Sequence, residues 1–593
     1  MKNLGELVSF LLRSTSDTDE ISDPDDPAIC FACDADLSNN PTYESLRVCL
    51  DCGFHYNLPA RERIQLLIDN GTFHETNRSL TAAQNPDLSE EPSYSERLAH
   101  AREKTGLSEA VITGTGELDG IRTAILALDL GFLGGSMGIV VGEKVSRLFE
   151  HAQRKKLPTI AIVSSGGARI QEGILSLMQM AKTTSAAKGF EAKGLPLITV
   201  TANPTTGQVF ASFANLADII IAEPGSLVGF APLRIAQRAS EESKDLNESH
   251  TAETHLIRGN LDRIVHRDKQ KQTLAAFLRL LAPQPKKKSS TEKLVRPNFA
   301  FQTTPTEGRR LEIARHPNRP TSEQYIKTIF TYFEPIHGDR ISGIDPTLIA
   351  GLGYLAGKPV AVIATQRNRQ STMPTSADGR LSPTAIRQAQ RIMRLAGKFR
   401  LPLISLIDTP GLDQSLHAEE EGLGAAIAET LSLMIGLSTP TIAAIVGEGG
   451  SEAALCLGLA DRVLMHEFGI FSPVSPESAA GVLYRDSERA EDIASSLKIT
   501  ASDCLNLEII EEIVPEPADG AHTNHTEAAS LLRESLIRNL AEIDGSPIKR
   551  LVKARERKFR RIGNNISFIR PDQILRSGLE RQVRNIRKKL PQR

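Results

Sequence analysis

Two closely spaced pairs of cysteines near the start of the sequence could bind a metal ion. Cys30 and Cys33 form one CxxC pair, Cys49 and Cys52 form a second, and fifteen residues separate the two pairs. Two such pairs can bring four thiolates into a tetrahedron about 2.3 Å from Zn²⁺. A redox CxxC motif is the alternative, but redox motifs occur singly at the start of a helix. The spacing therefore predicts a structural zinc ribbon.

Glycine-rich turns that follow apolar runs are the second feature that could support chemistry. They read SSGGAR at Ser164–Arg169, PTTGQ at Pro204–Gln208, DTPG at Asp408–Gly411 and GEGGSEA at Gly447–Ala453. A strand that ends in glycines ahead of a helix presents backbone N–H groups that stabilise an anion or a carbonyl oxygen gaining charge. Each turn alone is typical of an ordinary tight turn. Together the four turns predict a pair of oxyanion-binding sites.

Alternating strand and helix patterns surround these turns. From about Ala110, β-branched runs such as PTIAIVSS alternate with helix-period segments such as GILSLMQMAKTTSAAKGF, and the pattern resumes after residue 310 with runs such as LPLISLIDTPG. Short apolar runs followed by helical segments are typical of parallel strands covered on both faces by βα crossovers. The sequence therefore predicts two α/β domains.

The two α/β stretches share one register. Pro158 and Pro402 precede equivalent runs and differ by 244 positions, as do Pro196 and Pro440, and a later Leu-Ala-Asp motif repeats at 243 positions. A constant offset over several motifs is the mark of an internal repeat. We therefore predict one βα module present twice.

Length and composition set the remaining expectations. A chain of 593 residues exceeds what one hydrophobic core usually organises, and 70 basic against 72 acidic residues give no overall attraction to nucleic acid or membranes. No segment approaches the roughly 18–20 apolar residues of a membrane span, and six cysteines are too few for a disulfide framework, so we expect a cytoplasmic protein. The predicted domains are a flexible leader (1–27), the zinc ribbon (28–60), a first α/β domain (61–282), a linker (283–310), a second α/β domain (311–545) and a basic helical tail (546–593).

The tail is the most basic part of the chain. From Lys549 to Arg593 it contains sixteen Lys and Arg residues against three acidic ones. Such a run could bind nucleic acid or an acidic partner, but it is more often a solvated helix face or a helix that packs on an acidic neighbour. We do not expect nucleic acid as a partner.

Long motifs in both halves resemble a known enzyme family. The cysteine pairs with GFLGGSMGIVVGEKV, SSGGARIQEGILSLMQMAKT and ASFANLADIIIAEPGSLVGFA closely resemble the β subunit of bacterial acetyl-CoA carboxylase carboxyltransferase. The motifs ARHPNRPTSEQY, LPLISLIDTPG, AEEEG, VGEGGS and SPVSPESAA resemble its α subunit. The resemblance covers residues 28–275 and 312–530. It implies a fused β/α chain in which the zinc ribbon precedes two crotonase-like (ClpP/crotonase) modules of the ββα superhelix type.

The same resemblance implies an activity and its partners. The family moves a carboxyl group from carboxybiotin, carried on a biotin carboxyl carrier protein, to acetyl-CoA, a short acyl-CoA, and so forms malonyl-CoA for fatty acid biosynthesis. Biotin carboxylase and the carrier protein would be partners, and a coenzyme A thioester the substrate. The family's active site lies between the β-type half of one unit and the α-type half of another, which implies a homodimer equivalent to α2β2.

The resemblance also assigns site residues. It implies that Gly207 and Gln208 hold the thioester oxyanion, and that Glu452 and Ala453 hold the biotin oxygen. Backbone donors at two turns are enough for this chemistry, which explains the lack of a Ser/His/Asp arrangement. The flanking substrate-binding positions would be Gly134, Gly135, Gly166, Gly167, Ala168, Arg169, Gly449, Gly450 and Ala454.

Both turns depart from the family pattern. TTGQVFAS and EGGSEAALC stand where the family has TMGGVSAS and EGGSGGALA, so Gln208 and Glu452 replace glycines. If the Glu452 carboxylate points inward, it disfavours a developing anion by at least about 1 kcal/mol even in water-like dielectric. Two alternatives therefore stay open: a biotin-independent acyl-CoA decarboxylase or hydrolase of the same fold, and a non-catalytic carboxyltransferase-like scaffold.

Overall fold

A computed structural model of the protein describes residues 29–38, 40–82, 92–230, 250–282, 307–367 and 379–563. The predicted leader, the linker up to residue 306 and the tail beyond residue 563 lie outside the described residues. The last four residues of the predicted linker begin a helix at Glu307. The predicted domain limits otherwise stay a prediction.

The first half combines the cysteine ribbon with one eight-stranded sheet. Its helices are α1 (Pro41–Leu46), α2 (Ala60–Leu67), α3 (Tyr94–Thr105), α4 (Ile139–Lys155), α5 (Ile174–Glu191), α6 (Gly207–Phe210), α7 (Ala252–Ile257) and α8 (Gln270–Leu281). Its strands are β1 (His74–Thr76), β2 (Val111–Leu118), β3 (Ile121–Leu128), β4 (Thr159–Ser165), β5 (Leu197–Thr206), β6 (Ile219–Ala222), β7 (Val228–Gly229) and β8 (Arg263–Ile264).

The second half repeats this arrangement with a second eight-stranded sheet. Its helices are α9 (Glu307–Ala314), α10 (Ser322–Ile329), α11 (Pro383–Phe399), α12 (Leu416–Glu420), α13 (Leu423–Gly436), α14 (Ser451–Gly458), α15 (Pro476–Tyr484), α16 (Ala490–Leu497), α17 (Ala501–Asn506), α18 (His525–Ile543) and α19 (Ile548–Arg561). Its strands are β9 (Phe333–Pro335), β10 (Leu348–Leu355), β11 (Lys358–Thr365), β12 (Leu403–Thr409), β13 (Thr441–Gly450), β14 (Arg462–His466), β15 (Ile470–Ser472) and β16 (Glu512–Val514).

Each sheet has a short antiparallel edge and a parallel body. In the first, β1, β2 and β3 pair antiparallel, and β4, β5, β6 and β8 follow in parallel, with β7 against the end of β5. In the second, β9, β10 and β11 are antiparallel, and β12, β13, β14 and β16 are parallel, with β15 against β13. Strands β4, β5, β12 and β13 are buried at every residue, as expected for strands covered on both faces. The two α/β domains predicted from the sequence are confirmed.

The duplication holds at the level of single residues. Both ends of α4 and α11 differ by 244 positions, and the same is true of β4 and β12 and of β5 and β13. Strands β2 and β3 precede their counterparts β10 and β11 by 237 positions, because the second half has a longer stretch between β11 and α11 than the first half has between β3 and α4. The carboxyl ends of β4 and β5 therefore correspond residue by residue to those of β12 and β13.

Buried charges join the two halves within one chain. Asp262 of the first half, which is fully buried, forms ion pairs with Arg340 at 2.7 Å and with Arg391 of α11 at 2.5 Å. Asp218 pairs with Lys398 at the end of the same helix, at 2.5 Å. The main apolar core also contains residues of both sheets. The halves therefore pack as one body, with α11 at their junction.

The described part of the basic tail packs on the second half. Helix α19 inserts Arg555, which is fully buried, between Asp461 and the carbonyl groups that end α13. Lys558 pairs with Glu511 at 2.7 Å. This is the packing on an acidic neighbour that the sequence favoured. Among the described residues, no helix is both long and apolar enough to span a bilayer.

Candidate active site

The four ribbon cysteines converge in space. All four Sγ atoms lie within 4.8 Å of one another, and the Cys30–Cys52 and Cys33–Cys49 pairs are each 3.7 Å apart. A zinc ion with four bonds of about 2.3 Å separates its sulfur ligands by about 3.8 Å, so the four thiols fit a tetrahedral site. The two knuckles are also equivalent, because the N–H of Cys30 bonds to Ala35 O and the N–H of Cys49 to Phe54 O. The predicted ligand set is thus brought together.

A buried ion cluster fixes the ribbon to the first sheet. Arg267 donates to the carbonyls of Leu46 and Tyr56 in the ribbon and to Glu223, which also accepts from Arg63 at 2.9 Å. Burial alone would raise the pKa of Glu223, but the two arginines hold it well below its usual range. The ribbon is therefore positioned by a carboxylate at the end of β6.

In the first half, two glycine turns touch backbone to backbone. A Cβ atom added to Gly207 would lie 2.9 Å from Gly167 Cα, and one added to Gly167 would lie 3.7 Å from Gln208 N. Gly207 has a φ of 66° and Gly167 a φ of 117°, a conformation that L side chains rarely adopt. The turns after β4 and β5 therefore meet only because both carry glycine at the contact. We call this pair of turns the β-type turn.

The loop from Gly134 to Met137 packs against the β-type turn. Gly166 N donates to Gly134 O at 2.9 Å, and Met137 N donates to Gly167 O at 2.8 Å. A Cβ atom on Gly135 would lie 2.2 Å from Ser164 O, so the close approach requires glycine there. The structure thus brings Gly134, Gly135, Gly166, Gly167, Ala168, Gly207 and Gln208 together, as the sequence predicted for one site.

Arg169 supports this turn from inside the protein. Its side chain is fully buried, and its guanidinium donates to Glu109 at 2.8 Å, to Ser136 Oγ at 2.7 Å and to Tyr94 Oη at 3.1 Å. A side chain held this way has no surface left for a ligand. The Arg169 side chain therefore supports the turn from inside the protein, while its backbone lies at the turn, where its N–H donates to Met137 O at 3.0 Å.

The second half builds an equivalent turn, called here the α-type turn. Gly411 N donates to Thr409 Oγ1 at 3.2 Å and Leu381 N to Gly411 O at 3.0 Å, and each bond has its counterpart 244 positions earlier. A Cβ atom on Gly450 would lie 2.3 Å from the Pro410 carbonyl carbon. Ser451, the counterpart of Gly207, keeps the left-handed conformation with a φ of 55°. The two halves thus contain the same arrangement of backbone hydrogen bonds.

Two of the residues that replace family glycines, Gln208 and Glu452, lie at the start of equivalent helices. Gln208 lies in the first turn of α6, and its amide oxygen is buried without a hydrogen-bond partner among the described residues. Glu452 lies in the first turn of α14, is exposed, and its carboxylate accepts from Ser451 Oγ. Both side chains therefore lie beside the turns and not in the core. Gly449, Gly450, Ala453 and Ala454 are buried at the same turn.

Charged residues beside the α-type turn were missed by the sequence reasoning. Glu448, next to Gly449, accepts from Arg315 at 2.6 Å and from Arg367 at 2.7 Å. Arg380 lies beside Gly411, with its guanidinium 3.4 Å from Leu412 O. The sequence did contain a sign of these residues, because they belong to the motifs ARHP, VGEGG and ADGR. These motifs are far apart in the chain, but they meet at the carboxyl edge of the second sheet.

The comparisons with known proteins agree with this geometry. A family described as acetyl co-enzyme A carboxylase carboxyltransferase-like matches residues 286–563. Proteins named acetyl-coenzyme A carboxylase carboxyl transferase subunits beta/alpha match along most of the chain. That of Salinispora arenicola is 37% identical over 543 residues, covering 90% of this chain and 96% of the relative, and that of Clostridium tetani is 38% identical over 539 residues, covering 90% and 92%.

Solved structures support the fold. Transcarboxylase 12S, with methylmalonyl-coenzyme A and methylmalonic acid bound, has a TM-score of 0.64 at 22% identity and covers 80% of this chain and 89% of its own. A single-chain, multi-domain long-chain acyl-CoA carboxylase has a TM-score of 0.61 at 18% identity, covering 81% and 46%. The predicted duplicated crotonase-like fold is confirmed. At 37–38% identity over nine tenths of its length, the chain belongs to the family of fused β/α carboxyltransferase subunits of acetyl-CoA carboxylase.

Proposed function

We propose that this chain transfers a carboxyl group from carboxybiotin, held on a biotin carboxyl carrier protein, to acetyl-CoA and so forms malonyl-CoA. The main support for this proposal is that the β-type turn and the α-type turn have the same hydrogen bonds at a 244-residue offset. A reaction with two developing oxyanions needs two such sets of donors. The proposed partners are biotin carboxylase and the carrier protein.

In this proposal the chain's own residues contribute backbone donors and exclusion of water. The N–H groups of Gly207 and Gln208 hold the thioester oxygen as the methyl carbon loses its proton. The N–H groups of Glu452 and Ala453 hold the biotin ureido oxygen. Carboxybiotin supplies the carboxyl group and the base that removes the methyl proton. Preorganised backbone donors in a water-excluded site supply most of the stabilisation such charges need.

The site is proposed to form between two copies of the chain. The first turns of α5 bury polar residues, such as Ser176 and Gln179, and expose apolar ones. A helix that shows its apolar face to solvent is typical of a surface covered by another protein. This face starts a few residues after Gly167, so a second copy seated there closes the β-type turn. The exposed residues are Ile170, Ile174, Leu175, Leu177 and Met178, at 43–79%.

Zinc is proposed as a structural ion of the ribbon. Four thiols at tetrahedral spacing leave no coordination position for a substrate, and the ion would stabilise a ribbon with few apolar residues of its own. Thiolate ligands must stay reduced, which supports a cytoplasmic location.

Glu452 favours one alternative. Its exposed carboxylate lies in the first turn of α14, beside the N–H groups proposed to hold the biotin oxygen. A negative charge there disfavours a biotin oxyanion, and an enzyme that had lost biotin dependence would be a biotin-independent acyl-CoA decarboxylase or hydrolase. Incubation with malonyl-CoA, with and without free biotin, separates the possibilities. Acetyl-CoA formation that depends on biotin supports the transferase, biotin-independent loss of CO₂ supports the decarboxylase, and acyl-CoA binding without turnover supports a scaffold.

A further inference from the structure

A guanidinium lies beside Gly411 of the α-type turn. Arg380 is half-buried and directly precedes Leu381, which pairs with the residue after Gly411. The point where Gly411 would carry a Cβ atom is 3.7 Å from Arg380 Nη1 and 3.8 Å from Ser451 Cβ. The guanidinium and the Ser451 side chain therefore flank the same face of Gly411.

The duplication shows that this placement is specific to the second half. The first-half counterpart of Arg380 is Ser136, and the counterpart of Asp413 is Arg169. Arg169 also lies beside a glycine turn, but its guanidinium is buried and bound to Glu109 and Ser136. Each half thus has one arginine at its turn, contributed by non-equivalent positions of the repeat. Only the second-half arginine is partly exposed.

Opposite charges flank Ser451. Ser451 Oγ donates to the Glu452 carboxylate, which is exposed, while the Arg380 guanidinium lies on the Gly411 side of the same residue. A neutral ligand at this turn experiences little net field from the two opposite charges. A carboxylate is attracted by Arg380 and repelled by Glu452. The pair therefore makes the turn sensitive to whether the ligand carries a carboxylate and to where it sits.

We propose that Arg380 binds the carboxylate that is being transferred and so distinguishes carboxylated from uncarboxylated ligands at the α-type turn. A guanidinium presents its donors in a planar fork that matches a carboxylate, and its charge offsets that of Glu452. This inference rests on the proposed function, because in the dimer the acyl group held at the β-type turn of one copy faces the α-type turn of the other.

Two thioesters that differ only by this carboxylate provide the test. Isothermal titration of the intact protein with malonyl-CoA and with acetyl-CoA measures both affinities without turnover. We expect Arg380→Gln to weaken malonyl-CoA binding about tenfold, or about 1.4 kcal/mol, and acetyl-CoA binding by less than about twofold. Arg380→Lys should retain most of the affinity for malonyl-CoA, and Glu452→Gln should increase it.

Controls separate this role from a structural one. Arg394→Gln changes an arginine of α11 that pairs with Glu429 at the surface, and it should leave both affinities unchanged. Equal weakening of both thioesters by Arg380→Gln, or no weakening of either, overturns the inference while leaving the proposed function in place. If the unmodified protein binds neither thioester, the proposed function fails as well, and the inference with it.

Discussion

Replacing Gly207 with serine should disable the β-type turn without unfolding the protein. The added Cβ atom would lie 2.9 Å from Gly167 Cα, so the turn must open by about half an ångström to reach normal contact. Serine at a φ of 66° adds strain of roughly 1–2 kcal/mol. A displaced oxyanion donor costs about 10²–10³-fold in kcat. We therefore expect a loss of that size with only a modest loss of stability.

The second half supplies the matched control. Ser451 occupies the equivalent position at a φ of 55°, and even a Cβ atom added to Gly411 would lie 3.8 Å from Ser451 Cβ, so this position already accommodates a side chain. Ser451→Gly should change the rate by less than about threefold, since it removes a Cβ without moving a backbone donor. The assay is biotin-dependent conversion of malonyl-CoA to acetyl-CoA, with urea unfolding for stability. Activity above half of the wild-type value in the Gly207→Ser protein would refute the role of this turn.

Three further outcomes follow from the structure. Glu223→Gln leaves Arg63 and Arg267 as uncompensated buried charges and should cost about 3–5 kcal/mol in urea unfolding at pH 7. Because those arginines lower the pKa of Glu223, this cost should be full above about pH 4.3 and shrink as the pH falls; a pH-independent cost contradicts the ion cluster. Glu452→Gly should raise the biotin-dependent rate up to about fivefold, because it removes a negative charge beside the proposed biotin oxyanion site. An unchanged or lower rate would show that the Glu452 carboxylate does not destabilise that oxyanion. Metal chelation should release zinc and expose the ribbon to protease, whereas an intact ribbon without metal argues against a structural ion.

Local patterns predicted the fold because the repeat constrains it. Pro158 and Pro402 mark equivalent strands, and parallel strands with the same crossovers must end at the same edge of their sheets. The convergence of the four cysteines was equally predictable, because CxxC spacing is a local property. These features depend on residues close together in the sequence.

The chemistry of single side chains was less predictable, because it depends on distant partners. Arg169 follows a glycine turn, but its burial is set by Glu109 and Tyr94, which come from other elements. Arg380 ends the short ADGR motif, but only the folded repeat places it beside Gly411. A pattern of strands and turns indicates where a site lies, and not which side chains face it.

The central claim is that each active site combines the β-type turn of one copy with the α-type turn of another. It can be tested by mixing two inactive, dimeric variants, Gly207→Ser and Gly450→Ala, under conditions that exchange subunits. Random mixing makes half of the dimers mixed, and each mixed dimer has one site with both turns intact. We predict recovery of about a quarter of the wild-type activity. No recovery, despite formation of mixed dimers, would contradict a site shared between copies.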